Sequence, residues 1–293
     1  MAVKLELYRV FQEVARMGNI SAAAQNLYIS QSAVSQSIKT LERKLGQPLF
    51  IRSTKKVQLT PAGQLLLKHV EPAMNLIRRG ENQLFDSQGL GLGQLHIGAS
   101  DTICRYYLVP FLSHFHSLYP NIHIKVTNRT SIECARLLEN GQVDFIITNY
   151  PNSALSNTQN IEMLRPFHDV FAANEAFFPL KGRKMSLEEL QTYPILMLDK
   201  KSTTSEFLHS MFQKHQLDLV PEIELSSNDL LLDLARIGLG IACVPDYMLK
   251  ENDQLTPLML KEPLPGRQLI LAQHDSLTVS QAAERFIEMF TSI

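Results

Sequence analysis

The chain has 293 residues and a formal net charge of −1. That length exceeds what one compact core usually serves, so more than one domain is expected. Charge is unevenly placed: residues 1–60 carry nine Lys/Arg against three acids, the remainder 19 against 26. A basic head on an acidic body suits a polyanionic partner at one end only. No run of about 18 apolar residues is present, so no membrane span is expected. The charged, helical start is not that of a secretory leader, and a cytoplasmic location is expected. Cys104, Cys134 and Cys243 are far apart with no C-x-x-C, which fits a reducing compartment and neither a disulfide framework nor a thiolate metal site. His114 and His116 lie two apart, on different sides of a helix, so they are not read as a metal pair. No cofactor and no metal are expected.

Along the chain, Leu7, Phe11 and Val14 give a first helix its apolar face. Ser21 reads as the N-cap of a short Ala22-Ala23-Ala24 helix, whose small residues permit close crossing. After the turn Ile29-Ser30-Gln31, another helix starts near Ser32. Val34, Ile38, Leu41 and Leu45 form one apolar stripe on it, and Gly46 is a natural stop. Ser35, Gln36, Lys39 and Arg43 fall on the other side. Gln36 can pair two-pronged with adenine, the serines let a helix sit deep, and Lys39 and Arg43 can reach phosphates. Taken alone, the pattern better describes an ordinary amphipathic helix with a solvated front, because polar faces are the norm. A hairpin over 51–59 then groups Arg52, Lys55 and Lys56, as a wing over a phosphate backbone would need. Thr60 can cap the helix that Pro61 opens.

These residues together resemble a known family. Ser21-Ala-Ala-Ala, Ser30-Gln31-Ser32-Ala33-Val34-Ser35, Ile38, Leu41-Glu42, Leu45-Gly46, Leu49-Phe50, Arg52 and Leu59-Thr60-x-Ala62-Gly63 are similar to the pattern of LysR-type transcriptional regulators. Ser32 stands where many members have proline, and Lys55 where many have arginine; both keep the local chemistry. The resemblance implies a winged helix-turn-helix over 1–60, a linker and dimerisation helix over 61–90, and an effector-binding domain over 91–293. It implies that Gln31, Ser32, Ser35, Gln36 and Lys39 face the groove, with Arg52 and Lys55 on the wing.

Residues 61 to about 88 read as one long helix. Leu66, Val70, Ala73, Ile77 and Leu84 recur at coiled-coil spacing, a seam that a second subunit or the chain's own body could cover. Pro72 should bend the helix near Val70. Gly89-Leu-Gly-Leu-Gly93 reads as a flexible joint. A dimer would present two reading helices to successive major grooves, roughly 34–36 Å apart. The resemblance further implies a step to a tetramer on an interrupted palindrome.

From Gln94 onward, apolar strands alternate with helical patterns, the signature of an α/β fold with largely parallel sheets. Strands are expected at 94–99, 122–127, 143–148, 169–173, 195–198, 222–225, 240–244 and 268–272. By resemblance, this part divides into subdomain I (91–164 and 267–293) and subdomain II (165–266), arranged like a periplasmic solute-binding protein with a cleft between. Ligands of such sheets sit at strand carboxyl ends and helix N-termini. That singles out Ser100, Asp101, Thr102, Thr130, Ser131, Thr148, Ser202, Thr203 and Asn228 for a small polar or anionic effector. Each of these is also what a helix cap looks like anywhere, and Asp101 would compete with an anion.

An enzyme is the alternative for the body. It contains no G-x-S-x-G elbow, no G-x-x-x-x-G-K-[ST] loop and no H-E-x-x-H. Gly89-x-Gly-x-Gly precedes its strand and so is not a dinucleotide fingerprint. A secreted solute-binding protein would need an export signal. An architectural nucleic-acid protein would need no ligand. The expectation is a sequence-specific DNA-binding regulator whose effector alters DNA bending and recruitment of RNA polymerase.

Overall fold

The computed structural model describes residues 3–52, 57–87, 93–156, 159–250, 254–275 and 279–291. The chain divides into two compact units, Met1–Gln88 and Gly89–Ile293.

The first unit contains α1 (Leu5–Met17), α2 (Ile20–Asn26), α3 (Gln31–Leu45), β1 (Phe50–Arg52), β2 (Val57–Leu59) and α4 (Pro61–Ser87). Val10, Phe11 and Val14 of α1, Ala23 and Ala24 of α2, and Val34, Ile38 and Leu41 of α3 converge on one core. Ala23 and Ala24 are small enough for α2 to cross its neighbours closely. Ser21 is not the cap of α2. Asn19 is, its side chain accepting from the backbone N–H groups of Ser21 and Ala22 at 2.7 and 3.1 Å. Its longer reach from an extended backbone starts the helix one residue before Ser21. Similarly, α3 begins at Gln31 because Ser30 caps it. Leu45 leaves the apolar stripe and is 37% exposed, because the helix runs past the core before Gly46, at φ 70°, ends it.

The two short strands pair antiparallel, Phe50 opposite Leu59. Lys55 and Lys56 lie outside the described residues, as does the side chain of Arg52. Glu42 fastens α3 to this hairpin by accepting from the N–H groups of Leu49 (2.8 Å) and Phe50 (3.3 Å). Thr60 caps α4: its hydroxyl accepts from Gly63 N–H at 3.0 Å and donates to Pro48 O at 2.7 Å.

The linker seam splits in two. Leu66 and Val70 pack on the first unit's own core, while Ala73, Ile77 and Leu84 stay exposed. Pro72 lies inside α4, which runs on as one helix from Pro61 to Ser87. The Gly89–Gly93 joint falls, up to residue 92, outside the described residues.

The second unit runs through β3 (Gln94–Ala99), α5 (Asp101–Ile103), a π-helical turn (Cys104–Leu108), α6 (Val109–Leu118), β4 (His123–Asn128), α7 (Ser131–Glu139), β5 (Phe145–Tyr150) and β6 (Gln159–Phe167). It continues with β7 (Asp169–Asn174), β8 (Lys184–Met185), α8 (Leu187–Leu190), β9 (Ile195–Leu198), α9 (Thr203–Lys214), β10 (Ile223–Leu225), α10 (Asn228–Arg236) and β11 (Ile241–Pro245). A 3-10 turn (Asp246–Met248), β12 (Leu255–Pro257), β13 (Met259–Leu260), β14 (Arg267–His274) and α11 (Gln281–Thr291) complete it.

Two five-stranded sheets result, ordered β4-β3-β5-β14-β6 and β10-β9-β11-β7-β12. They are mixed, not largely parallel. In the first, β4, β3 and β5 are parallel, but β14 runs antiparallel to β5 and to β6. In the second, β7 plays the same part between β11 and β12. Neither antiparallel strand continues the βα succession beside it, so no right-handed crossover fixes its direction. The chain leaves the first sheet at Phe167, enters the second at Asp169, and returns at Arg267. Helices cover both faces of each sheet. Phe115 of α6 and Phe286 of α11 stack against the first sheet 5.1 Å apart, and Cys134, Ala135 and Leu138 of α7 pack on its other face. α9 and α10 cover the second sheet in the same manner.

Gly63 is the tightest backbone approach in the first unit: a Cβ there would meet the Leu49 carbonyl oxygen and, at 2.9 Å, the Leu59 side chain. Gly63→Ala should therefore cost about 1–3 kcal/mol, the usual penalty of overpacking. A lowered thermal midpoint of the full chain would register it; an unchanged midpoint would mean that the wing yields freely.

Candidate functional site

Two places gather chemistry, one in each unit. In the first, α3 turns Val34, Ile38 and Leu41 inward and leaves Gln31, Ser32, Gln36, Lys39 and Arg43 exposed, with Ser35 half-buried. Ser32 is not wholly free, since its hydroxyl meets that of the cap Ser30 at 2.8 Å. The one acid on this helix, Glu42, is turned to the Leu49 and Phe50 amides. The exposed front thus carries amide, hydroxyl and cationic groups, a set matched to base edges and phosphates.

In the second unit, a cavity of about 330 Å³ opens between the two sheets' carboxyl ends. Of the sequence candidates, Ser100, Asp101, Thr102, Thr130, Ser131, Ser202, Thr203 and Asn228 line it. Thr148 does not: it is fully buried, its hydroxyl accepting from Asn152 at 3.0 Å. Lys200 and Lys201 are exposed and outside the lining, whereas Asp199 is in it. The periodicity of the sequence could not separate these neighbours, because they sit on an irregular loop.

The cap reading and the cleft reading turn out to concern the same residues. Ser100, Thr130, Ser202 and Ser227 each accept from the backbone N–H three positions on, capping α5, α7, α9 and α10. Around Thr130 the box is closed, with Glu133 accepting from the Thr130 N–H at 3.2 Å. One cap satisfies only part of a helix's first-turn donors, so several N-termini direct N–H groups and positive dipole ends at one space. Asp101, Glu133 and Asp199 supply negative charge there and Arg129 positive.

The halves are joined across the cavity. Asn228 donates to the Thr102 hydroxyl at 3.0 Å, Tyr106 to Asp229 at 2.7 Å, and Ser153 to Glu206 at 2.9 Å. Burial, followed by the bond to Asp229, pushes the Tyr106 phenol up to about 12, so it stays a donor. Asn149, Tyr247 and the second-half Asp199, Ser226 and Ser227 also line the space. Sequence pattern missed Tyr247 because it follows β11 in a 3-10 turn with no cap motif. Asn149 Oδ1, Asn228 Oδ1 and the Tyr247 hydroxyl are buried without a hydrogen-bond partner.

Behind the cavity, where the chain crosses between sheets, Arg267 donates to Asp169 at 2.7 Å and to the Thr204 hydroxyl at 3.1 Å. Both ionic side chains are wholly buried. Burial pushes the Asp169 carboxyl up, and Arg267 opposes that shift. The guanidinium carbon lies 5.3 Å from the Phe167 ring centre and 5.0 Å from that of Phe207, a cation–π arrangement, while Arg267 Nε and Nη2 are buried without a hydrogen-bond partner. The thiols take no comparable part. Burial pushes Cys104 and Cys134 each up to about 12, leaving neutral thiols. Among the described residues, no three His, Cys, Asp or Glu side chains cluster as a metal site would need. None of the described helices is long and apolar enough to cross a membrane.

A polar-fronted helix-turn-helix in one unit and a two-sheet ligand-binding body in the other define a ligand-responsive DNA-binding regulator, and comparison with known proteins agrees. Residues 5–64 match the bacterial regulatory helix-turn-helix protein, lysR family, and residues 88–292 match the LysR substrate binding domain. The chain belongs to the LysR family of transcriptional regulators: it is a DNA-binding regulator with an effector-binding domain, and not an enzyme. A probable RuBisCO transcriptional regulator of Trichormus variabilis is 30% identical, over 96% of this chain and 86% of the relative. The transcriptional activator CmpR of Synechocystis is 28% identical, over 97% and 93%. In fold, the chain is similar to full-length OxyR of Pseudomonas aeruginosa (TM-score 0.70, 20% identity, 100% and 94% covered). It is also similar to full-length CbnR complexed with its target DNA (0.65, 18%, 99% and 99%). The regulatory domain of Synechocystis CcmR in complex with 2-PG matches 68% of this chain and 96% of its own (0.62, 20%).

The buried ion pair makes a sharp expectation. Arg267→Met strands the Asp169 carboxylate and should cost about 3–5 kcal/mol, while adding Asp169→Leu should recover most of it. Urea unfolding followed by tyrosine fluorescence measures both; a double variant as unstable as the single would show that Arg267 acts through the rings and not through the carboxylate.

Proposed function

We propose that α3 enters the major groove of duplex DNA, with Gln31, Ser32, Ser35, Gln36 and Lys39 toward bases and phosphates and with Arg52 and Lys55 on the adjoining backbone. The observation that carries this reading is the exposed front of α3, in which the sole acid is turned away to the backbone of the following strand. Residues 1–60 act as the reading domain, 61–90 as the linker, and 91–293 as the effector domain divided at the two chain crossings. Leu76, Ile77 and Leu84 leave α4 an apolar edge that the same helix of a second copy would cover. A dimer, and in turn a tetramer, then spans an interrupted palindrome. The setting is the cytoplasm.

The effector is a small polar or anionic molecule in the cavity. Several helix N-termini favour an anionic group, and the orphaned amide oxygens of Asn149 and Asn228 favour donors on the same molecule. That the CcmR regulatory domain is known with 2-PG supports a compact ligand of this kind. Such a ligand acts only by binding one arrangement of the halves better than another. The altered arrangement changes DNA bending and the recruitment of RNA polymerase.

Gln36→Ala should weaken binding to the protein's selected site by about 1–3 kcal/mol and leave scrambled duplex nearly unaffected. Equal losses on both duplexes would remove Gln36 from base reading. For the cavity, calorimetry with a panel of small hydroxy acids, phosphorylated acids and amino acids should find one that binds wild type and shifts its footprint. Asn228→Leu should lose that heat. Binding that survives Asn228→Leu undiminished would place the effector elsewhere.

A further inference from the structure

Tyr28 is 95% exposed, the most exposed of the large apolar side chains in the described residues. Its backbone is left-handed, at φ 55°, a region that L residues with a Cβ adopt at a cost and that Gly or Asn adopts more cheaply. The turn needs this conformation. It lets Ile29 N–H reach Ala24 O at 3.1 Å and Tyr28 N–H reach Gln25 O at 3.2 Å, ending α2. The turn does not need a tyrosine: Leu27 before it supplies the contact with the core, and the Tyr28 ring is given almost wholly to water. Ile29 beside it is also 40% exposed. Two residues further on stands Ser30, the cap of α3. A costly backbone holding an aromatic ring in solvent, ahead of the helix that reads DNA, calls for a ligand outside the fold.

We propose that Tyr28 is a backbone-contact residue of the DNA interface. Its ring lies against a deoxyribose, and its phenol donates to a phosphate oxygen of the strand that flanks the N-terminus of α3. The inference rests on α3 entering the groove as described above and adds a contact that neither the polar front of α3 nor the basic wing provides. A phosphate and sugar contact from a neutral side chain positions the protein without reading sequence. It releases no counterion, so it leaves the salt dependence of binding unchanged.

The test uses the full chain and a duplex selected by it from a random pool, with a scrambled duplex beside it. Tyr28→Asn relieves the backbone, so its thermal midpoint should equal or exceed that of wild type, while affinity should fall about five- to ten-fold on both duplexes with an unaltered salt slope. Tyr28→Phe should fall between the two. Unchanged affinity of Tyr28→Asn would overturn the proposal, as would a loss confined to the selected duplex, a loss that tracks a lowered midpoint, or a changed sedimentation coefficient that reveals a subunit contact. Gln36→Ala run alongside separates the two readings. If it loses sequence preference while Tyr28→Asn binds normally, only the Tyr28 contact is refuted; if neither variant differs from wild type, α3 itself is not the reader.

Discussion

Where the chain crosses between the two halves of the effector domain, a buried ion pair ties the crossings together. Each sheet contains a strand that begins where the chain crosses into it, and those two strands start at the paired residues, Asp169 for β7 and Arg267 for β14. Removing two charges from water is costly, and one well-made bond offsets only part of that cost. The surroundings add to it: the Thr204 hydroxyl accepts a second bond, and the rings of Phe167 and Phe207 flank the guanidinium, although Asp169 Oδ1 and Arg267 Nε and Nη2 stay without a hydrogen-bond partner. Apolar side chains could hold two strands together there. What the pair adds is a tie, because a bond of 2.7 Å joins the first residues of two strands that belong to different sheets.

That tie reaches the cavity by a short path. Thr204 belongs to the first turn of α9, whose cap Ser202 and neighbour Thr203 line the cavity. Asp169 pairs in the second sheet with Pro245, itself in the lining two residues before Tyr247. Cavity-lining groups and crossing residues therefore share elements on the second half, while Thr102, Tyr106 and Ser153 meet it from the first. The bonds between halves are few and made by side chains, whereas within each half the strands are joined by continuous ladders. Relative movement of the halves breaks the first kind and spares the second, which is the physical meaning of a hinge.

Sequence was most informative where one residue type serves one local purpose. The stripe Val34-Ile38-Leu41, the caps Ser30 and Thr60, and the strand at Gln94–Ala99 follow from spacing and cap chemistry. It misled where two residues compete for a role a few positions apart, as with Asn19 and Ser21, since only the backbone angle decides between them. β6 escaped notice because it is a largely exposed edge strand that contains Pro166, a residue that argues against a strand except at an edge. The direction of β14 was illegible for a different reason: a strand entering from another subdomain obeys no local pattern. Of the cavity, the cap residues were visible and Tyr247 and Asp199 were not, because their place there depends on a turn and a loop whose course the sequence does not encode by period.

The mixture of charges in the cavity decides what kind of molecule fits it. Helix N-termini alone would accept any small anion, since partial positive charge does not distinguish one carboxylate from another. Asp101, Glu133 and Asp199 change that. Glu133 is already engaged by the Thr130 N–H, and Asp199 accepts from the Lys201 N–H at 3.0 Å, so both are held in place and cannot swing away from an incoming anion. A bare, compact anion meets repulsion from fixed carboxylates along with attraction from the N–H groups. A molecule that also carries hydroxyl or ammonium donors converts the same carboxylates, and the unpartnered oxygens of Asn149 and Asn228, into acceptors. Leaving such buried groups unmatched costs more than matching them gains, so discrimination falls most heavily on ligands that lack the donors.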